Sequence, residues 1–321
     1  MSKKKKMCII TFLFIAFIFL NNTSLFMRPD AVKSLLLAHR GLAQCFSMQD
    51  ITYQTDTSKR IFPPEHPYLE NTIASMEEAF KLGADIVELD IQMTKDNKFA
   101  VFHDHTLDYR TNGSGTIRQH TMEELKKLDV GYGYTADGGK TFPFRGKGIG
   151  LMPEIDEVFK RFPQNYLLIH IKGNEPDEGE LLAKILKDQP PDRLAKIRNY
   201  GGDKPMKALK EKLPQMRVMS KETLMKAIIE YLAIGWSGYI PDSCRNAWLH
   251  IPIKYAPLLW GWPHKFFSRM KSVNTEIVLV AGDGKFSEGF DSPEELKKIP
   301  VNFPGYIWTN RIDKIARQVK P

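Results

Sequence analysis

Short apolar runs alternate with amphipathic stretches along most of this chain. Runs of strand length and β-type composition occur at Leu35–His39, Ile86–Gln92, Phe99–His103, Tyr166–Lys172, Ile197–Gly201, Met216–Met219, Gly238–Pro241, Glu276–Val280 and Tyr306–Thr309. Helical signals lie between them. Thr121-Met122-Glu123-Glu124 has the form of a capping box, and Ser292-Pro293-Glu294-Glu295 places proline at a first helical position. A third helix is predicted after Asn71 and ends at Gly83, where a left-handed residue is wanted. Alternating β and α units predict parallel strands with crossover helices. Nine runs for eight places predict an α/β fold, a TIM (β/α)8 barrel, with one additional short strand assigned to Gly238–Pro241. A doubly wound sheet would want a glycine-rich turn after its first strand, and His39-Arg40-Gly41-Leu42 is not one.

The pattern at the N-terminus is different. Lys3–Lys6 precede Met7–Leu20, apolar except at Thr11, and Asn21-Asn22-Thr23-Ser24 close the run. A basic flank before an apolar core is an export signature, and no A-x-A site marks a cleavage point. Residues 1–28 are therefore read as a signal peptide or a signal anchor, which places the remainder outside the cytoplasm. Residues 33–319 are read as one barrel domain with loop insertions. Two long loops interrupt its alternation, Gln44–Leu69 and the aromatic-rich Arg245–Met270.

Composition narrows the function classes. The 321 residues carry a formal net charge of +8. Half of it sits in the Lys3–Lys6 cluster, and the rest is dispersed without an arginine-rich helix or zinc-finger spacing, so a nucleic-acid partner is not expected. Cys8, Cys45 and Cys244 are too far apart in sequence for a CxxC pair; Cys45 and Cys244 could pair in an oxidising compartment but are read as two separate buried thiols.

The candidate chemistry sits at strand ends. His39-Arg40 ends the first run, Glu88 and Asp90 lie two apart on the second, His103-Asp104 ends the third, and His170 and Lys172 lie two apart on the fourth. Two residues of spacing puts both side chains of a pair on one strand face. Val87, Leu89 and Ile91 take the other face of the second run, so Glu88 and Asp90 point into the barrel, where a buried charge needs a partner. Carboxylates with imidazole suit a divalent cation. Arg40 and Lys172 suit a phosphate, and the remaining imidazoles suit a general acid and a general base. Together these predict metal-assisted phosphoryl transfer.

Leu36-Leu37-Ala38-His39-Arg40-Gly41, Glu70-Asn71-Thr72, Val87-Glu88-Leu89-Asp90 and Val101-Phe102-His103-Asp104 resemble, in order, the signature of glycerophosphodiester phosphodiesterases. Leu107-Asp108-Tyr109-Arg110-Thr111, Gly113-Ser114-Gly115 and Thr121–Leu125 extend the likeness, and the long aromatic insert resembles a bacterial branch near lysophospholipase-D-type members. The resemblance covers residues 35–172 and thins beyond them. It implies a TIM barrel that binds Ca²⁺ or Mg²⁺ through Glu88 and Asp90. It makes His39 and His103 the acid–base pair, and it gives the phosphate to Arg40 and Lys172. The implied substrate is a small phosphodiester, cleaved to glycerol 3-phosphate and an alcohol by attack of the substrate's own glycerol hydroxyl. The family usually carries a carboxylate where this chain has His170, so His170 is expected either to ligate through nitrogen or to leave its place to water. That change shifts the expected preference from Ca²⁺ towards Mg²⁺, Mn²⁺ or Zn²⁺. Two alternatives accompany this reading: lysophospholipase-D-type activity, with Arg245–Met270 as an acyl wall or membrane contact, and a non-catalytic lipid- or phosphodiester-binding protein. Glu88 and Asp90 count against a bacterial phosphatidylinositol-type phospholipase C.

Overall fold

Apolar residues at every second position of the β-type runs leave each strand with one side chain set for the barrel interior and one for the helices outside. The computed structural model describes residues 1–27 and 32–320, apart from the side chain of Ser287; the boundary expected at residues 28/29 lies outside them. Helix α1 (Lys3–Asn22) precedes β1 (Leu35–Ala38). Next come α2 (Ile73–Leu82), β2 (Ile86–Met93) and β3 (Phe99–Val101). A loop-rich insertion with α3 (Met122–Leu125) leads through α4 (Ile155–Arg161) to β4 (Tyr166–Ile171). The alternation continues with α5 (Pro176–Lys187), α6 (Pro191–Leu194), β5 (Ile197–Gly201), α7 (Asp203–Lys212), β6 (Arg217–Met219) and α8 (Lys221–Ile234). It ends with β7 (Trp248–Pro252), α9 (His264–Ser272), β8 (Glu276–Val280), α10 (Pro293–Leu296), β9 (Tyr306–Thr309) and α11 (Ile312–Val319).

Eight parallel strands follow the order β6-β5-β4-β2-β1-β9-β8-β7 and form a nearly closed TIM barrel. Between β6 and β7 no backbone ladder forms among the described residues. The His250 amide donates to Met219 Sδ there at 3.4 Å, and Glu276 on β8 accepts from Arg198 on β5 and Arg217 on β6. Leu37, Ile86, Leu168, Trp248, Val278 and Trp308 fill the interior, whereas Val87, Leu89, Ile91, Leu167 and Ile169 face the surrounding helices. A smaller core under the insertion gathers Leu107, Ile117, Leu125, Tyr134 and Phe144.

The capping expectations match the local geometry. Thr121 Oγ1 accepts from the Glu124 amide, Glu124 Oε2 accepts from the Thr121 amide, and Gly83 closes α2 at φ 109°. Two strand expectations require correction. Gly238–Pro241 is not a strand: Gly238 is left-handed (φ 90°) and closes a 3-10 turn. The barrel strand in that part of the chain is β7, inside the aromatic segment that was expected to be a loop. The extra strand is β3, which pairs antiparallel with β2 instead of taking a barrel place. Part of the aromatic segment is core, while Tyr255 and Leu258 stay exposed. Trp248 lies in the barrel, Phe266 and Phe267 are buried on the inner side of α9, and Trp262 packs on both. Cys45 and Cys244 are free thiols, Cys244 buried and Cys45 half-buried.

Candidate active site

The turn after β1 brings His39 and Arg40 over the barrel mouth. Arg40 (φ 57°) and Gly41 (φ 76°) are both left-handed. A Cβ on Gly41 would lie 2.7–2.9 Å from Ser75 Oγ, the Ser75 carbonyl carbon and the Met76 nitrogen, so only glycine lets this turn rest on the first turn of α2. The Arg40 amide then donates to Glu88 Oε2 at 3.1 Å.

Glu88 and Asp90 are fully buried and point into the barrel from β2. Beyond its barrel portion β2 turns at residues 94–98 and returns as β3, so Phe102 N donates to Asp90 O at 3.0 Å and His103 arrives at the level of Asp90. From β4, His170 Nδ1 lies 2.8 Å from Asp90 Oδ1 and 3.8 Å from Glu88 Oε1, and Lys172 Nζ lies 3.8 Å from Asp90 Oδ1. All seven residues singled out in the sequence thus meet at the mouth.

Each of the two candidate acid–base imidazoles has its Nδ1 fixed by an oxygen. His39 Nδ1 is 2.6 Å from Asn310 Oδ1, and Asn310 donates through Nδ2 and its amide to the two oxygens of Asp291. With a proton on Nδ1, His39 Nε2 accepts from Arg40 Nε at 3.1 Å. His103 Nδ1 is 2.7 Å from Asp104 Oδ1, and Asp104 forms an ion pair with Arg110 at 2.8 Å. Glu70 joins both sides by pairing with Arg110 at 3.3 Å and Arg40 at 2.9 Å. Asn71 brackets Asp90: its Nδ2 donates to Oδ2, and its Oδ1 accepts from the Asp90 amide, each at 3.0 Å. Tyr200 on β5 donates to Glu88 Oε1 at 2.7 Å and stacks on His170 with ring centroids 4.0 Å apart.

Glu70 and Asn71 were visible only as part of a family signature, and Asp104 only as the neighbour of His103. Asn310, Asp291, Arg110 and Tyr200 carried no assigned role. Arg110 stood in the stretch that extends the family likeness and Tyr200 inside a predicted strand, while Asn310 and Asp291 showed only a polarity that a surface residue shares.

Electrostatics set the protonation states. Burial, and then the Asp90 charge, push the Glu88 carboxyl up to about 8. Asp90 is held well below the usual carboxylate range: burial opposes this, but the nearby His103, Lys172 and Arg40 and the His170 hydrogen bond outweigh it. Burial, with Arg40 beside them, holds both His39 and His103 well below the ordinary imidazole value, so both are neutral near pH 7. Burial and Lys172 push His170 down to about 4, which leaves it a neutral nitrogen donor.

These residues fit a divalent cation. Donor atoms of Glu88, Asp90 and His170 lie within 4.8 Å of one another. Asp90 keeps its charge and Glu88 keeps its proton beside it, and a cation between them would let both ionise.

An eight-stranded parallel barrel with a carboxylate–histidine cluster at the C-terminal ends of its strands is the class that fold and site define. Within it, residues 39–202 match the glycerophosphoryl diester phosphodiesterase family, and the chain belongs to that family. It is similar to the glycerophosphodiester phosphodiesterase of Bacillus subtilis (36% identical over 169 residues, 50% of this chain and 47% of the relative). It is also similar to that of Caldanaerobacter subterraneus subsp. tengcongensis (36% over 162 residues, 49% and 54%). The matched stretch spans about half the length of these two relatives. Human glycerophosphodiester phosphodiesterase 1 is 42% identical over 237 residues, 73% of this chain and 65% of the relative. Among solved structures, a glycerophosphodiester phosphodiesterase from Agrobacterium tumefaciens str. C58 has the same fold (TM-score 0.58, 20% identity, 88% of this chain and 98% of that one). An Oleispira antarctica phosphodiesterase, solved with the product sn-glycerol-3-phosphate, shares it too (TM-score 0.56, 18% identity, 89% and 96%).

Proposed function

We propose that this protein is a metal-dependent phosphodiesterase that hydrolyses glycerophosphodiesters to glycerol 3-phosphate and an alcohol. The observation that carries this reading is the placement of two imidazoles, each with Nδ1 fixed by its own oxygen, around one buried carboxylate pair. Glu88, Asp90 and His170 would hold the divalent cation, which when bound polarises a phosphoryl oxygen and neutralises charge on it. Arg40 and Lys172 flank that position and hold the phosphate, Arg40 through its planar fork. His39 and His103 are the acid–base pair: one neutral ring takes the proton of the attacking glycerol hydroxyl on its bare Nε2, and the other, which takes up a second proton on Nε2 as the phosphodiester anion binds beside it, passes that proton to the departing alcohol. Water then opens the cyclic phosphate with the roles reversed. The Asn310 and Asp104 oxygens keep each Nδ1–H pointing away from the substrate, so Nε2 is the reactive nitrogen on both rings.

The test is a substrate panel on chelator-stripped protein with Ca²⁺, Mg²⁺, Mn²⁺ and Zn²⁺ returned singly. Release of glycerol 3-phosphate from glycerophosphocholine, lost in His39→Ala and in His103→Ala, is expected. Full activity in His39→Ala would refute the mechanism, and an inactive wild type in every metal would favour a binding protein.

A second reading, lysophospholipase-D-type cleavage, is favoured by a groove of about 770 Å³ between the loops after β1, β7 and β8. Met48, Ile51, Ile253 and Phe286 line it among charged residues that include Lys254, Asp283 and Lys285, a mixed seat that could take an acyl chain along its apolar side. A large preference for glycerophosphocholine over lysophosphatidylcholine would refute this reading.

The inferred organisation is a leader over residues 1–28 and a single barrel domain over 33–319, exported and held by α1. Support for a retained anchor comes from the end of α1. Asn21 and Asn22 donate to Trp236 O at 3.1 and 2.7 Å, and Lys265 and Arg269 donate to the terminal carbonyls of Leu20 and Asn21. These cations from α9 neutralise a helix C-terminus that has no basic residue of its own.

A further inference from the structure

A surface helix of a barrel needs one apolar stripe, and α8 has two. Its inner stripe, centred on Ala227 and Tyr231, packs on the barrel. The outer stripe consists of Met225, Ile229 and Leu232, spaced i, i+4, i+7, and Ile229 is 57% exposed. Trp236 extends it to i+11 in the 3-10 turn that follows α8, and Tyr239 beyond is 55% exposed. Met225, Ile229 and Leu232 are exposed, while Trp236 is half-buried.

The neighbour of the stripe indicates what covers it. Helix α1 has no buried residue; its 20 residues, about 30 Å, hold the apolar run Met7–Leu20, about 21 Å, between the Lys3–Lys6 flank and Asn21-Asn22. Its end is tied to the turn in which the outer stripe finishes, because the Trp236 carbonyl is the acceptor for both Asn21 and Asn22. The Trp236 side chain lies back along α1 and meets the Phe14 ring at 5.4 Å. An apolar stripe that ends in tryptophan and tyrosine, beside the point where an apolar helix leaves the barrel, has the composition of a lipid–water boundary.

We propose that the outer face of α8, with Trp236 and Tyr239, seats on the lipid bilayer beside α1 and holds the barrel in one orientation on the membrane. This rests on the reading of α1 as a retained anchor. The stripe and α1 then form one continuous contact, with a spanning helix supplying attachment and α8 supplying a second, shallow point that stops the barrel rotating about the first.

The test uses the full chain in phosphatidylethanolamine/phosphatidylglycerol vesicles, with Cys8, Cys45 and Cys244 replaced by alanine. Single fluorophores are placed through Ile229→Cys on α8, Ile15→Cys on α1 and Lys160→Cys on α4 on another flank of the barrel. Expected is deep lipid-quencher access at Ile15→Cys. Shallow lipid-quencher access at Ile229→Cys should be several-fold above that at Lys160→Cys, with matching protection from aqueous iodide. If Ile229→Cys behaves like Lys160→Cys while Ile15→Cys is lipid-quenched, the seat is refuted and the anchor stands. If Ile15→Cys is open to iodide, the anchor fails and the seat fails with it. If Ile229→Cys is shielded from iodide but not reached by lipid quenchers, a second copy of the chain covers the stripe and the proposal is overturned.

Discussion

Tyr200 contacts two of the three candidate metal ligands, donating to Glu88 and stacking on His170. Such outer contacts orient ligands and commonly matter about 10–100-fold in metal affinity. Tyr200→Phe, which keeps the ring and removes only the hydroxyl, is expected to weaken divalent-cation binding about 10-fold by titration calorimetry. Tyr200→Leu should weaken it further, because the stack is lost as well. Asn310 acts on the other side of the site. Asn310→Ala frees the His39 ring to present the wrong nitrogen, and kcat is expected to fall on the order of 10²-fold with the substrate KM little changed. Glu88 supplies the pH dependence. Its carboxyl is raised from an ordinary 4.5 to about 8 in the metal-free fold, so between those values the folded chain keeps a proton that the unfolded chain has lost. Stability of the chelated protein should therefore decline as pH rises through that window, and Glu88→Gln should flatten the decline. Cation binding displaces that proton, so apparent affinity should rise with pH up to about 8.

At the scale of elements, the turn that delivers His39 and Arg40 depends on a close approach to α2. Gly41→Ala puts a Cβ into the Ser75–Met76 backbone at a left-handed position. A loss on the order of 2 kcal/mol is expected in urea unfolding, with activity reduced because Arg40 moves with the turn. Thr72, whose hydroxyl accepts from the Ser75 amide at the start of α2, should cost about 1 kcal/mol when replaced by alanine. Most elements were legible because their signals are local. The period-2 alternation of Val87-Glu88-Leu89-Asp90-Ile91 named the inward carboxylates, and capping residues marked α2, α3 and α10. β7 was hidden because Trp248, His250 and Pro252 look like loop or insert, and only pairing with β8 makes them a strand. The place of β3 was hidden for a related reason. A β-type run does not say whether it will cross over or fold back, and residues 94–98 are enough for a hairpin but too few for a crossover helix.

For the whole molecule, the candidate site draws on β1, β2, β4 and β5, the β2–β3 hairpin and the loop after β9, so a bound cation joins distant parts of one barrel. Saturating divalent cation is expected to raise the unfolding temperature and EDTA to lower it; the stabilisation is about 2.7 kcal/mol when the cation is at 100 times its Kd. By itself, the sequence determined the barrel, the apolar N-terminal helix, and which side of β2 and β4 carries the charged groups, because strand alternation and helix capping act within a few residues. Only the tertiary structure decided which partners hold those groups. Asn310 reaches His39 across 271 positions and Tyr200 reaches Glu88 across 112. It also decided that Trp248, Phe266 and Phe267 of the aromatic segment are core and that an exposed apolar stripe lies on α8. Barrel closure brings residues far apart in sequence to one rim, and neither composition nor periodicity records which neighbour each will meet.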